Sequence, residues 1–460
     1  MTTLWSGRFD TAPDGAALEF GSSFRFDRRL FEDDVTGSVA WARALAAAGV
    51  LAPDDAHQIE NTLTNILERG RSDPSFVDGP DEDVHSFVER VLVERLGDAG
   101  RRLHTGRSRN EQVSLDLRLY LMRRIGSLQR GVAQVAAALA AQASSAGDAL
   151  MPAFTHFRPA QPVLVAHFVL AHVAPLRRDH ERLAAARAEA DALPLGSGAV
   201  AGTSYPIDVE ALARDLGFSR VVANSIDASS DRDFATSFLF ACAMTMVHLS
   251  RLAEDLIILC GDEHRFFELS DALSTGSSMM PQKKNPDPLE LVRGKSGRAI
   301  GHLMALLTTM KGLPSGYNKD LQEDKQAVFD AEDTLAGCLA AVRSIVDGLT
   351  LDRDRTESAA SGLLLATDVA DYLVGRGLPF RRAHEIVGGL VRKLVAEGRE
   401  FGSLSLDEWR AASDLFDADV VARVTARASV GAKRTPQSTS PRAVAAALGE
   451  VRQWLAGVAG

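Results

Sequence analysis

NEQVSLDLRLYLMRRIGSLQRGVAQVAAALA, residues 110–140, decides the fold class. Val113, Leu117, Leu121, Ile125, Leu128, Val132, Val135 and Leu139 recur every three or four residues, which is one apolar stripe on an α-helix. No proline interrupts the chain from Asn110 to Met151. At a rise of about 1.5 Å per residue the spacing predicts a helix roughly 60 Å long. A compact monomer has no use for so long a helix alone, so it needs partners along its length. Residues 207–280 also lack proline, and Phe234, Phe238, Cys242, Leu249, Leu252, Leu256 and Cys260 keep the helical register. The chain from Gln322 to Leu378 is again proline-free and alanine-rich where helices must approach closely. Alternating strand patterns are scarce. The chain reads as all-α, a bundle of long helices that assembles into an oligomer. The expected divisions are an N-terminal helical domain (1–108), a central long-helix domain (109–355) and a small C-terminal helical domain (356–460). The last carries a polar loop, KRTPQSTSPR (433–442), before a final amphipathic helix.

Composition narrows the function classes. Of 460 residues, 46% are hydrophobic and 24% charged, an ordinary folded protein. The net charge is −10 with both signs interspersed, so nothing resembles a basic nucleic-acid footprint. Cys242, Cys260 and Cys338 are the only cysteines and form no CxxC pair, which argues for a reducing compartment. The start, MTTLWSGRFD, lacks the basic and apolar regions of a secretory signal. The longest apolar stretch, FATSFLFACAMTMVHLS (234–250), is short of the roughly 20 residues a membrane span needs. A cytoplasmic protein, bound neither to membrane nor to nucleic acid, is the expectation.

Four polar stretches adjoin the long helices. HTGRSRNEQ (104–112) offers arginines, an amide and hydroxyls at a helix start, where unpaired N–H groups favour anions. Its bland reading is a helix cap with surface arginines. FTHFRPAQP (154–162) contains His156, which taken alone reads as a satisfied core histidine. GSSMMPQKKNP (276–286) mixes hydroxyls and lysines, and GYNKDLQEDK (316–325) mixes donors and carboxylates; a loop and a solvated face are their bland readings. Together they supply cations and amides for carboxylates, and a histidine and a serine able to exchange protons. That inventory suits a di- or tricarboxylate and acid–base chemistry without a cofactor. LGSGAVAG (195–202) has the look of a dinucleotide loop, but no strand precedes it, and glycines for close backbone approach between helices explain it better.

At these stretches the sequence resembles the argininosuccinate lyase family of the fumarase/aspartase superfamily. GSSMMPQKKNPDPLE (276–290) matches the superfamily signature GSSxMPxKxNxxxxE at every fixed position, and HTGRSRN, THFRPAQP and YNKDLQEDK follow the expected order. The likeness runs from LWSGRF (4–9) through SSFRFDRRL (22–30) and DRDF (231–234) to SVGAKRTPQSTSPRAV (429–444). It implies a homotetramer whose long central helices form a twenty-helix core, with active sites shared between subunits. The implied reaction is reversible elimination of L-argininosuccinate to L-arginine and fumarate, with no metal or cofactor. Carried over by residue, His156, Ser277 and Glu290 would be catalytic. Ser23, Arg109, Asn110, Thr155, Ser278, Lys283, Asn285, Tyr317, Gln322 and Lys325 would bind substrate. Two departures stand out: the family's THLQ is THFR here, with Arg158 for glutamine, and its NDQ is Asn110-Glu111-Gln112.

The residue types suit that chemistry. A proton is removed beside a carboxylate, and the resulting dianion is out of reach at neutral pH unless cations and amides are already aimed at it. Lys283 and Asn285 answer that need. Either His156, supported by Glu290, is the base and Ser277 the acid, or Ser277 is the base, ionised when a cationic loop closes over it. The second has the lysines beside Ser277 in its favour. The rival functions are another superfamily lyase acting on a different fumarate adduct, and an inactive crystallin-like structural protein.

Overall fold

In the computed structural model, which describes residues 14–458, the stripe at 113–139 lies on one 38-residue helix, Arg109–Ala146, and all eight of its apolar side chains are buried. LWSGRF (4–9) lies outside the described residues. In chain order the larger elements are α1 (Phe31–Ala47), α2 (Pro53–Ser72), α3 (Val84–Leu96), α4 (Arg109–Ala146), β1 (Leu150–Thr155), β2 (Arg158–Leu164) and α5 (Val165–Ala190). Then come α6 (Asp233–Cys260), β3 (Phe267–Glu268), β4 (Thr275–Gly276), β5 (Lys284–Asn285), α7 (Asp287–Met310) and α8 (Asp324–Asp347). The chain closes with β6 (Thr350–Leu351), α9 (Ala366–Gly375), α10 (Phe380–Glu397) and α11 (Pro441–Val458). The class is all-α, and the strands form three small antiparallel pairs.

Two compact units emerge, each built from several chain segments. The first holds residues up to Gln129, Glu181–Ala243 and Arg298–Thr334; the second holds Arg130–His180, Met244–Gly297 and the chain from Leu335 onward. In the first, Trp41, Leu45, Ile59, Leu63 and Leu92 from α1, α2 and α3 are fully buried. Phe24, Phe31 and Phe76 gather around Phe87 at centroid distances of 5.3, 6.3 and 5.7 Å. Apolar burial of this kind contributes about 25 cal/mol per Å², so the three helices are held by packing more than by propensity. In the second, α9 and α10 close a smaller core with Phe401, Trp409 and Phe416. There α10 stops at Gly398, whose φ of 63° is the left-handed turn that ends many helices.

Two expectations need correction. The apolar stretch read as ending at 250 belongs to α6, a 28-residue helix long and apolar enough by composition to cross a membrane. In its most apolar window 56% is buried inside the protein, the mark of a core helix. The register from Phe234 to Cys260 already gave that length, and only the apolar stretch taken alone stopped short, because acidic and basic residues sit among the apolar positions of the second half. FTHFRPAQP is also a hairpin, β1 pairing with β2 from Leu150↔Leu164 to Thr155↔Arg158 with a bulge between Ala153 and Phe154. Pro152, Pro159 and Pro162 mask it, since proline usually marks the absence of a strand.

Candidate active site

The first unit contains a cleft of about 910 Å³ lined by Ser23, Arg109, Tyr317, Gln322 and Lys325, five of the expected substrate contacts. These residues come from chain positions up to three hundred apart, and local caps and turns set each of them. The chain turns at Ser23, whose N–H donates to Glu82 O (2.8 Å) and whose hydroxyl donates to Asp27 Oδ2 (2.5 Å). Asp27 Oδ1 accepts from the Val84 N–H at the start of α3 (3.0 Å). Asp83 caps that helix, accepting from Ser86 N–H at 2.7 Å. Burial alone would raise the Asp83 carboxyl, but the cations of His85 and Arg109 and the Ser86 donors outweigh it and bring it down to about 2. For Asp27 burial prevails and the pKa is raised.

Lys325 stands in the first turn of α8, buried, and donates to Asp324 Oδ1 at 2.9 Å. Asp324 also accepts from Arg232 Nε at 2.5 Å. Burial opposes ionisation of Asp324, but the two cations beside it hold its pKa below the usual range. Gln322 donates to Gly21 O (3.1 Å), and burial pushes the Tyr317 hydroxyl up to about 12, so it stays a neutral donor. Arg109 reaches Glu89 (3.3 Å) and Gln112 (3.4 Å), and Gln112 donates to Asp34 Oδ1 (2.5 Å).

His85, which also lines this cleft, centres a cluster that the sequence did not reveal. His85 Nδ1 is 2.9 Å from Asp34 Oδ1 and 3.1 Å from Asp116 Oδ2, with all three side chains buried. Burial disfavours a charged imidazole, yet Asp116 and Asp34 more than reverse this and push His85 up to about 10. The paired carboxylates diverge: Asp116 is raised and Asp34 lowered. Their ligand atoms lie within 4.8 Å of one another, close enough for a cation. A protonated His85 and the buried Arg107, which acts on both carboxylates, already supply the positive charge there. One signal was available: Asp116 follows Val113 by three residues and so shares the apolar stripe of α4.

Of the remaining expected residues, all but Asn110 belong to the second unit. Thr155 and His156 sit at the tip of the β1–β2 hairpin, both exposed, so His156 is not a core histidine. The turn residues His156 and Phe157 have φ of 53° and 56°. Positive φ at both central residues is the two-residue hairpin turn whose twist matches its strands, and it is strained for residues other than glycine and asparagine. Phe157 is 85% exposed. The hairpin is anchored where Leu164 N–H donates to Thr439 Oγ1 (2.7 Å), in the polar loop before α11.

Ser277, Ser278, Lys283 and Asn285 lie on a loop rooted in the β4–β5 pair, Thr275↔Asn285 and Gly276↔Lys284. Ser277 Oγ accepts from the N–H groups of Met279 (3.3 Å) and Met280 (3.0 Å). Lys284 pins the root, donating to Leu269 O at 2.5 Å and pairing with Asp271 at 2.9 Å. Glu290 stands exposed in the first turn of α7. Among the described residues no hydrogen bond or ion pair joins His156 to Glu290 or Ser277. Asn110 heads α4 beside Arg109.

Comparison with known proteins bears on what this arrangement does. A family model described as lyase matches residues 7–301, and one described as argininosuccinate lyase C-terminal matches residues 363–431. An argininosuccinate lyase of Moorella thermoacetica is 48% identical over 462 residues, covering 99% of this chain and 98% of that protein. One of Pelotomaculum thermopropionicum is 47% identical over 459 residues, covering 99% of each. Among solved structures, an EDDS lyase in complex with formate superposes with a TM-score of 0.84 at 26% identity, covering 96% of this chain and 91% of that one.

Proposed function

The chain belongs to the argininosuccinate lyase family and is a carbon–nitrogen lyase, and from that premise we propose how it splits L-argininosuccinate reversibly into L-arginine and fumarate. The observation that carries the reading is the first-unit cleft, where Ser23, Arg109, Tyr317, Gln322 and Lys325 converge on one space. Argininosuccinate bears three carboxylates, an ammonium and a guanidinium. The cations of the cleft suit the first, and the carboxylates of Asp27 and Asp83 suit the last two.

Ser277 is the base. Two backbone N–H groups point at its oxygen, and donors so placed favour the ionised form. Lys283 and Asn285, on the same loop, bind the carboxylate beside the carbon that loses its proton and take up the charge of the dianion. Thr155 and Ser278 help orient that group. His156, with Glu290 as its carboxylate partner, supplies the proton to the departing guanidine nitrogen. The site is completed in a homotetramer, with loops from three subunits meeting at each centre. Exposed apolar side chains on the long helices support assembly: Leu291, Met304 and Leu307 on α7 and Phe240 on α6. In that assembly residues 1–108 act as an N-terminal helical domain, 109–355 as the long-helix core and 356–460 as a small C-terminal helical domain. The enzyme works in the cytoplasm in arginine synthesis or nitrogen disposal.

The test is fumarate release, followed by ultraviolet absorbance, from argininosuccinate, adenylosuccinate and aspartate in turn, with no added metal or nucleotide. Release from argininosuccinate alone is expected. Preference for either other adduct overturns the substrate assignment, and inactivity toward all three favours a structural, crystallin-like role.

A further inference from the structure

LGSGAVAG (195–202) has no part in the proposed reaction, yet it is a tightly turned loop of the first unit. Gly196, Gly198 and Gly202 have φ of 99°, 57° and 86°, values that L side chains rarely adopt. The loop closes on itself through Gly202 N–H to Ser197 O (2.7 Å) and Thr203 N–H to Gly196 O (3.1 Å). A Cβ at 198 would meet Gly202 O at 2.8 Å. Such turned loops present N–H groups to an anion. Here the anion is the protein's own.

Glu111 is fully buried, and its Oε2 accepts from Gly198 N–H at 2.9 Å while its Oε1 accepts from Ser108 N–H at 2.9 Å. Ser108 Oγ accepts from Asn110 N–H at 3.2 Å. Ser108 thus caps the start of α4 through Asn110 N–H, Glu111 reaches back to the Ser108 N–H as the glutamate of a capping box does, and that glutamate is shared with the glycine loop. Burial pushes the Glu111 carboxyl up to about 7 despite these backbone donors. The flanks of the loop reach two binding segments. Tyr205 lies against Gly106, where a Cβ would come within 2.5 Å of its ring, and Val200 lies 3.3 Å from where a Cβ of Gly316 would be, next to Tyr317.

We propose that Glu111 and the glycine loop 196–202 form a clamp that sets Arg109 and Asn110 on one side and Tyr317 on the other, making Glu111 and Gly198 positioning residues for substrate. The two carboxylate oxygens of Glu111 span the helix cap and the loop together. The inference rests on the proposed reaction, since substrate binding is what the clamp serves.

Steady-state fumarate release by the full-length enzyme tests it with wild type, Glu111→Gln, Gly198→Ala and the double variant. Glu111→Gln is expected to raise KM for argininosuccinate about tenfold while kcat falls less than threefold, because the proton-transfer loop is untouched. Gly198→Ala gives the same split, and the double variant is no worse than the poorer single one, as expected of two halves of one device. Glu111→Asp falls between. A KM within twofold of wild type, a loss confined to kcat, or multiplying effects would overturn the clamp. Hydrogen–deuterium exchange supplies a readout independent of substrate: 106–112 and 196–203 should exchange faster in Glu111→Gln, and unchanged exchange overturns the proposal. Absence of fumarate release by the wild type would count against the reaction instead, leaving exchange to judge the clamp. Should Glu111→Gln not fold, Glu111→Asp with unaltered KM and exchange overturns it equally.

Discussion

Lys325 and Lys283 belong to the same expected set of substrate contacts, yet their surroundings are opposite. Lys325 is buried, its ammonium fixed by Asp324, which is itself braced by Arg232. Lys283 is exposed, and the bond recorded for it is from its backbone N–H to Met280 O (3.1 Å). The contrast extends to their neighbours. In the first-unit cleft Ser23 and Lys325 are bonded to buried carboxylates, and Arg109 and Gln322 to half-buried partners, so these positions exist before substrate arrives and less ordering remains to be done. On the second unit's hairpin and loop, the groups proposed to move protons are exposed and sparsely bonded. A loop free to move can close over substrate and exclude water, at the cost of being poorly organised when open.

The sharpest way to break this comparison is Ser277→Ala. Turnover should fall about a thousandfold with an unchanged thermal midpoint, since only two backbone donors lose a partner. Fumarate release within tenfold of wild type would remove the loop from the chemistry. Next comes Asp324→Asn, which leaves Arg232 and Lys325 as buried cations without their counter-charge. Urea unfolding should show a loss of about 3–5 kcal/mol, the range for breaking a buried pair. A loss below about 1 kcal/mol would mean the cleft is not the preorganised partner.

A smaller effect should appear with pH. The folded-state pKa of His85 is raised to about 10 from an ordinary 6.5. Its contribution to stability is therefore fully present below 6.5 and lost as pH rises through 10. The midpoint of wild type should fall between pH 7 and 10, and that slope should flatten in His85→Gln. Equal slopes in both would mean the imidazole is not charged in the fold. The smallest effect is expected at the root of the loop. Lys284→Met removes exposed pairs with Glu268 and Asp271, which solvent largely screens, and one bond to Leu269 O, so stability should fall by no more than about 1 kcal/mol. A clear destabilisation would show the loop to be held as firmly as the cleft.

The helices were legible because periodicity is a local property. The stripe of α4 and the register of Phe234 to Leu256 needed no knowledge of what would pack against them. The hairpin carrying His156 was not legible, because its pairing depends on a turn with positive φ at His156 and Phe157 that neither residue advertises. At the site, the signature 276–290 identified its loop by itself. Asp34, His85 and Asp116 stayed hidden because a charged side chain within a helix reads as solvated until its face is known to be buried.

The sequence by itself determined where this chain is helical, which family it joins and which short stretches bear its chemistry, since each is written in near neighbours. Only the tertiary structure decided that Ser23, Arg109 and Lys325 share one cleft, that His85 lies between two carboxylates, and that a loop resembling a phosphate cradle holds Glu111 instead. Those pairings join residues 31 to more than 300 positions apart, and their energies come from burial and charge at close range, which no local pattern encodes.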